Sequence, residues 1–292
     1  MPFSSMDDLV NEITSGKFNR TDWNKITGAS AYTAGRWYDF SGLAGTPVAN
    51  AWAGTALAWR TCDETTGNGT QIFGLPHAGN VSPDTKHVLN VSAITSVATG
   101  VPAQLMLVDL QGYWPGITNN SATAQTLTGT PTLRYTNGAG CRLFWVQTSA
   151  AGATAQNISL SYSNTTPTSG RALPVTVSMT ASAIAGHISH SGTAANNYGP
   201  FLPLASGDTG VSTVATVTFS AANTGTGALC LARPLLTLPL TTVSVAAERD
   251  LLNQLPSLPR VMDGACLTWL YFAGAATAAN TNFYGGVEFG WG

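Results

Sequence analysis

The sequence predicts a mainly β protein: an antiparallel β-sandwich or jelly-roll-like body, with a short N-terminal helix and extended arm and one short helix near residues 245–255. From Val88 onward, short stretches that alternate or run in β-branched and aromatic residues follow one another, separated by Gly, Pro or Asn clusters. Almost no helical pattern lies between them, which excludes a parallel α/β sheet. The longest apolar runs lie between Leu229 and Phe272, so we expect the core there.

The length of the chain bounds its organisation. With 292 residues it can form one large all-β domain or two smaller ones, and either can bury a core without disulfides or metals. We predict an N-terminal helix and extended arm over residues 1–45. The β-sandwich or jelly-roll body is predicted over residues 46–292, as one domain or as two packed β subdomains.

Charged residues are scarce. Asp, Glu, Lys and Arg make up 9% of the sequence, against about 25% in an ordinary soluble domain. Most of the surface must therefore consist of Thr, Ser, Asn, Gly and Ala. Because long charged side chains are depleted at buried interfaces, this composition indicates a protein that assembles with other protein; a secreted, Thr-rich β-protein is the alternative. The 12 basic residues are scattered and the net charge is −2, so we expect no direct nucleic-acid binding.

The first residues predict a short capped helix followed by an extended arm. Ser5 and Asp8 have the spacing of a capping box, and Gly16 is placed to end the helix. So short a helix is marginal alone, so it must dock on this chain or on a neighbour. Its apolar face consists of Met6, Leu9, Val10 and Ile13, and the arm carries Phe18, Trp23 and Ile26.

Residues 32–59 form an aromatic belt, in which large rings are interleaved with small residues. Helical periodicity is absent and glycines recur, which favours loops and short strands held by aromatics. The rings are Tyr32, Trp37, Tyr38, Phe40, Trp52 and Trp59. Such a belt is typical of a core or a protein interface, and it could also line a sugar cleft. Because no acidic pair accompanies it at a suitable spacing, a core or an interface is favoured.

Two features of the body lie in turns and loops. The dipeptide Asn137-Gly138 predicts a hairpin between the stretches TLRYT and CRLFWVQ. Residues 187–210 form the longest irregular stretch, a surface loop that would reach a neighbour in an assembly. Within it Tyr198 and Phe201 need a partner to cover them.

The apolar stretch near the C-terminus predicts strand, helix, loop and strand in that order. Residues 235–240 suit an edge or bent strand, because one proline lies among them and another directly precedes them. Ser244 can cap a helix over residues 245–255, with apolar residues at four-residue spacing. Residues 266–272 have the composition of a buried strand.

No motif predicts a catalytic, cofactor or metal site. The four cysteines form no CxxC pair, so reduced core thiols are expected. His187 and His190 form an HxxH pair, but a metal would need further ligands, and loop or edge-strand histidines are the favoured interpretation. The adjacent Asp63 and Glu64 lack the oxygen spacing of a calcium loop and indicate a solvated turn. We therefore expect no enzymatic activity, no cofactor and no metal.

The N-terminal sequence and the apolar runs bear on location. Residues 1–13 show no basic segment followed by an apolar one, so we expect no secretory signal and synthesis in the cytoplasm. The apolar run of residues 235–240 is too short to cross a bilayer, so we expect no membrane partner.

Several stretches resemble a family of tailed-phage virion structural proteins. The similarity runs from Arg20 to Gly292 and is carried by RTDWNKITGASAYTAGRWYDFSGLAGTPVAN, HAGNVSPDTKHVLN, LMLVDLQGYWPGI, PTLRYTNGAGCRLF, GTAANNYGPFLPLASGDTGV and the segment ALCLARPLL to LTWLYFAG. Within that class the resemblance favours a decoration, or cement, protein on the outside of the head. Such a protein is an antiparallel β-body, often trimeric, that clamps neighbouring capsomers. The resemblance implies no catalytic residues.

The expected partners are therefore the major capsid protein and further copies of this chain, with a trimer favoured. We hypothesise that the arm of residues 1–24 and the aromatic belt supply the contacts, so that deleting residues 1–24 would abolish capsid binding and leave the body folded. The hypothetical interface residues are Met6, Leu9, Ile13, Phe18, Trp23, Tyr32, Trp37, Tyr38, Phe40, Tyr198 and Phe201.

Two other functions stay open. A tail- or vertex-associated structural protein would share this composition. A carbohydrate-binding β-sandwich module or a polysaccharide-degrading enzyme would use Trp37, Trp52 or Trp114 as a stacking platform for sugar rings.

Overall fold

The computed structural model describes residues 3–189, 199–254 and 258–292. Its helices are α1 (Met6–Thr14) and α2 (Leu251–Gln254), and 3₁₀ turns lie at Ala98–Gly100 and Thr136–Gly138. Its strands are β1 (Phe18–Ile26), β2 (Arg36–Asp39), β3 (Ala44–Thr46), β4 (Arg60–Thr61), β5 (Lys86–Ile94), β6 (Ala103–Thr118), β7 (Gln125–Thr126), β8 (Arg142–Gln147), β9 (Gln156–Asn164), β10 (Arg171–Ala172), β11 (Val177–Met179), β12 (His187–Ser189), β13 (Val211–Phe219), β14 (Thr226–Leu240), β15 (Ala247–Asp250), β16 (Arg260–Val261), β17 (Leu267–Ala273) and β18 (Asn282–Trp291). The pairings between these strands are antiparallel, which confirms the predicted mainly β fold class.

Six strands close into a central barrel. Around the barrel the order is β14, β8, β12, β2, β17 and β6, and β6 pairs again with β14. Such closure removes the free edges that an open sheet would expose. One hydrophobic cluster takes side chains from all six strands and therefore fills the interior. It includes Trp37, Val108, Phe144, Ile188, Cys230 and Leu270.

Two flanking sheets pack on the outside of the barrel. The first flanking sheet has the order β15, β5, β18, β1 and β3, with β16 also on β5. The second flanking sheet has the order β10, β9, β13 and β7, with β11 also on β9. The first core joins residues such as Trp23 and Phe283 of its sheet to Trp269 and Tyr271 of the barrel. The second core joins residues such as Tyr162 and Phe219 to Trp145 and Leu229.

Strand β14 contributes to all three cores, which explains why its sequence is apolar at most positions. Cys230 and its neighbours at even positions point into the barrel. Leu229 and Leu231 face the second core, whereas Leu236 and Leu238, further along the strand, face the first core. A strand buried on both faces needs apolar residues at nearly every position, so it does not alternate.

The N-terminal helix forms as predicted, but the segment after it is not a free arm. The Ser5 side chain accepts a hydrogen bond from the backbone N–H of Asp8 at 3.1 Å, and Leu9 is buried against the body. Strand β1 then pairs with β18 on one side and with β3 on the other. Trp23 is thereby fixed in the first core. The prediction of an extended segment is confirmed, but the segment pairs with strands of the same chain.

The helix predicted over residues 245–255 exists only as α2. Residues 247–250 of the predicted helix form the strand β15 instead. This strand pairs with Asn90–Ala93 of β5 at the edge of the first flanking sheet. The Arg249 side chain donates to the backbone oxygen of Thr237 at 2.5 Å and holds this edge on the barrel. Ser244, predicted as the helix cap, adopts a positive φ of 59° instead. The end of the predicted helix lies outside the described residues.

The hairpin predicted at Asn137-Gly138 is wrong. These residues belong to a 3₁₀ turn, and the stretch TLRYT before them is not a strand. The Arg134 side chain points inward and pairs with Asp109. This stretch is therefore fixed by side-chain contacts and not by the backbone hydrogen bonds of a sheet. The edge or bent strand predicted at residues 235–240 is confirmed: this half of β14 pairs with β6 alone.

Candidate functional site

The structure places most of the hypothetical interface residues inside the chain. Leu9, Trp23, Tyr32, Trp37, Tyr38 and Phe40 are buried. A partner could contact these six only after the fold had opened. Met6 and Phe18 are exposed, at 57% and 39% of their surface, whereas Ile13 and Phe201 are half-buried. Tyr198 lies outside the described residues.

The aromatic belt is divided among the three cores: three of its rings lie in the first core, and the others lie in or against the barrel interior and the second core. Tyr32 stacks on Tyr38 with ring centroids 3.8 Å apart, and Phe40 stacks on Tyr271 at 4.7 Å. Burying such large rings in contact with each other supplies both apolar area and specific packing. The belt is therefore explained as core, one of the two interpretations that the sequence favoured.

The sugar platform considered from the sequence is mostly inaccessible. Trp37 and Trp114 are buried, in the barrel interior and in the second core respectively. Trp52 is half-buried, and its ring meets Tyr113 edge-on with centroids 5.0 Å apart. Of the three candidate rings, Trp52 alone reaches an open cavity.

Trp52 borders a cavity of about 390 Å³ between β2 and the loops around it. Its polar lining includes the Asp39 carboxylate, which accepts hydrogen bonds from Ser41 and from the Gly42 backbone. Burial raises the pKa of Asp39. The Asn50 amide nitrogen, also at this cavity, has no hydrogen-bond partner among the described residues. This set could bind a small polar ligand.

The acidic pair Asp63 and Glu64 does not form the expected solvated turn. Asp63 accepts hydrogen bonds within its own turn, but the Glu64 side chain is directed inward and accepts from the backbone N–H groups of His77 and Gly79 at 2.6 and 3.1 Å. Its second oxygen lies 3.2 Å from the His77 ring. The sequence missed this contact because 13 residues separate the two side chains.

Lys86 completes this buried group. Its ammonium donates to the His77 Nδ1 at 2.8 Å, so the ring proton lies on Nε2, which donates to the Ala265 oxygen at 2.9 Å. Burial and the adjacent ammonium lower the pKa of His77, and burial lowers the pKa of Lys86. The Lys86 ammonium, the His77 ring nitrogens and one Glu64 oxygen have partners within the fold, whereas the second Glu64 oxygen makes only the ionic contact with His77. The group therefore fixes a loop on β5.

A second buried ionic pair joins Arg134 to Asp109 of β6. Arg134 donates to both carboxylate oxygens of Asp109, at 3.1 and 2.5 Å, and to the backbone oxygens of Cys62 and Leu110. Asp109 also accepts the backbone N–H of Cys266 at 3.1 Å. Through these hydrogen bonds the pair holds the turn at Arg134 against β6.

The cysteines behave as the sequence predicts. All four are unpaired and buried, and Cys62, Cys230 and Cys266 share the barrel interior. Burial raises the pKa of each of Cys62, Cys141 and Cys230, so these thiols stay protonated and unreactive.

The histidine pair cannot be assembled from the described residues. His187 lies buried in β12, edge-on to the Tyr38 ring at 5.5 Å, and His190 lies outside the described residues. In the described part of the chain, no three His, Cys, Asp or Glu side chains are grouped so that they could hold a metal ion.

A groove of about 620 Å³ lies between three distant parts of the chain. We call it the arginine groove; its lining is Arg134, Tyr135, Thr136, Ala139, Arg233, Pro234, Leu235, Leu258, Pro259, Arg260 and Met262. Arg233 packs over the Tyr135 ring, 4.4 Å from its centroid. No local sequence pattern predicts this groove, because its three segments are far apart in the sequence.

The described surface also carries scattered large apolar side chains. Those exposed are Met6, Val10, Phe18, Val48, Ile72, Val245, Leu252 and Tyr284. No helix in the described ranges is both long enough and apolar enough to cross a membrane.

Comparisons with known proteins identify no close relative. No protein-family model matches the sequence, and no curated protein matches it. Among solved structures, the chain is weakly similar to the VP2 subviral particle of infectious bursal disease virus, with 8% identity and a TM-score of 0.18 over 94% of this chain and 80% of that one. The structure of the Gt strain of the same virus gives 7% identity and a TM-score of 0.18, over 94% and 79%. Overlaps this low do not assign a shared architecture.

Proposed function

We propose that this protein is a non-enzymatic virion structural protein that binds the outside of a tailed-phage head and stabilises the capsid lattice as a decoration protein. The proposal rests on the sequence resemblance and on how the fold distributes its polar groups. Its partners would be the major capsid protein and further copies of itself.

The observation that carries the proposal is the low charge of the chain, part of which is used in two buried ionic groups. The groups around Lys86 and Asp109 fix loops and have their partners within the chain. With 9% charged residues in the whole sequence, few charges remain for the exterior. A surface of small neutral side chains loses little hydration when it packs against other protein, as a lattice-binding protein requires.

The test is the copy number in purified virions, measured by quantitative mass spectrometry against the major capsid protein. We expect hundreds of copies, near one for each capsid subunit. A few copies to a few tens would place the protein at the tail or a vertex. Its absence from the particle would refute a virion role altogether.

A truncation tests the contribution of the N-terminus to capsid binding. The deletion of residues 1–24 considered from the sequence would remove most of β1 and open the first flanking sheet. Deleting residues 1–16 removes α1 and spares β1. We expect the shorter deletion to weaken co-sedimentation with undecorated heads while circular dichroism stays β-like; full retention of binding would exclude α1 from the contact.

A second candidate is binding of a small carbohydrate in the cavity beside Trp52. The Asn50 amide nitrogen, which has no hydrogen-bond partner among the described residues, and the Asp39 carboxylate favour it, since sugars are held by polar groups beside an aromatic face. Screening on a glycan array, with Trp52→Ala as the matched variant, tests this candidate. Binding that Trp52→Ala abolishes would support it, and an array without any bound glycan would remove it.

A further inference from the structure

We propose that α1 of one copy docks into the arginine groove of a second copy of this chain. This contact deepens the structural role proposed above and rests on it, because it names the surface through which copies would meet. The partner is identified by the complementary charges and the exposed apolar side chains of two surfaces of the same chain.

The arginine groove is basic and apolar. None of the described residues that line it is acidic, and its apolar lining includes Leu235, Leu258 and Met262. The Arg134 guanidinium is committed to Asp109. Arg260 is exposed and forms no ion pair with any described residue, so its charge is available to a partner.

Helix α1 presents the complementary surface. Leu9 faces the body, whereas Met6 and Val10 lie one turn apart on the outer face, with 57% and 55% of their surfaces exposed. Asp7 is exposed beside them and makes no ion pair within the described residues. Two apolar side chains next to one free carboxylate therefore match an apolar floor next to one free guanidinium.

The two surfaces lie near each other on the same side of the molecule. Phe3, just before α1, packs on the His87 ring with centroids 5.8 Å apart. The His87 Nδ1 in turn lies 3.3 Å from the backbone oxygen of Leu258, at the rim of the groove. A helix and a groove side by side form a self-complementary patch, so two copies related by a two-fold axis would make the contact twice.

The contact is small, and its strength follows from its size. One helix face in one groove is below the roughly 1,600 Å² of a standard stable interface. We therefore expect weak, concentration-dependent association in solution. In a lattice, where many contacts act together, the effective concentration would make the same contact persistent.

Charge reversal tests the pairing directly. Asp7→Arg places like charges together in its own homodimer, and so does Arg260→Glu, so each variant alone should associate about tenfold or more weakly in analytical ultracentrifugation. A mixture of the two should associate again, because both contacts in the mixed pair join opposite charges. Asp22→Arg, the same charge change on an exposed position of β1, should leave association unchanged. Variants that associate like the unmodified chain, or a mixture that does not recover, would overturn the proposal.

Cysteine cross-linking tests the geometry independently. Separately tagged Val10→Cys and Met262→Cys proteins, mixed and mildly oxidised, should form a mixed disulfide. In the control mixture, Ile72→Cys replaces Met262→Cys; the Ile72 side chain is 51% exposed. This mixture should form no mixed disulfide. Equal cross-linking in both mixtures would also overturn the proposal.

The outcome is separable from that of the proposed function. A protein at high copy number on heads whose charge variants associate normally would refute the docking and leave the head role intact. If the mixed charge variants associate again but the protein is absent from virions, the docking is supported and the head role is refuted.

Discussion

Among single residues, Arg134 is one whose loss should lower stability strongly. Its guanidinium is the ionic partner of Asp109, a carboxylate fully shielded from water. Removing one member of a buried pair leaves the other charge uncompensated and costs about 3–5 kcal/mol. We expect Arg134→Met to lower the free energy of unfolding by about this amount in urea denaturation. The double variant Asp109→Asn with Arg134→Met should recover part of the loss, and a single-variant cost below about 1 kcal/mol would contradict this role.

Asp208 should make stability depend on pH in the acid range. Burial acts to raise its pKa, but hydrogen bonds from Asn164 and Tyr162 and the ion pair with Arg171 outweigh it and hold the pKa at about 2. The pKa of an unfolded Asp is about 3.9. The stabilisation is therefore complete above about pH 4 and disappears as pH falls toward 2.

The measurement is the free energy of unfolding from about pH 6 down to pH 2.5, compared with that of Asp208→Asn. The difference between the two proteins should shrink as pH falls through this window. A constant difference would show that Asp208 has the same pKa in the folded and the unfolded chain, and would contradict the prediction.

Residue types and local spacing determined some contacts and not others. The Ser5 cap and the burial of all four cysteines could be predicted, because caps depend on neighbours in sequence and thiols on local apolarity. The inward turn of Glu64 could not, since its partners come from another loop.

At the scale of elements, the close approach of Gly227 in β14 to Trp145 in β8 limits what each strand can carry. A Cβ at residue 227 would lie 2.0 Å from the Trp145 ring. We expect Gly227→Ala to displace the ring and to lower the free energy of unfolding by about 1–3 kcal/mol. Gly28→Ala is the matched control, because its Cβ would meet nothing within 4 Å. Equal stability of the two variants in denaturant titration would refute the close packing.

The predicted elements failed where pairing overrode local preference. Residues 247–250 have a helical pattern, yet they form β15 because an edge of β5 and the Thr237 carbonyl are available there. Asn137-Gly138 has the composition of a hairpin turn, but it lies in a 3₁₀ turn. The residues before it form no strand, because Arg134 pairs with the buried Asp109. In both cases contacts distant in sequence decided the structure.

At the scale of the whole molecule, the antiparallel β body follows from the sequence but barrel closure does not. Alternation and turn residues predict strands, whereas closure depends on β14 pairing with β6, whose paired residues are more than a hundred positions apart in the sequence. The arginine groove brings together three segments that are distant in the sequence. Neither could be located from local pattern.

The shared barrel should make the molecule unfold as one unit. Strands β6 and β14 contribute to both flanking cores, so neither flanking sheet can separate without exposing apolar surface of the barrel. Phe283→Ala in the first core and Phe219→Ala in the second should each lower the free energy of unfolding by about 3–5 kcal/mol. Both should shift one common transition, with tryptophan fluorescence and circular dichroism coinciding. If Phe219→Ala instead splits the transition in two while Phe283→Ala does not, the second flanking sheet folds independently and the barrel couples the layers only weakly.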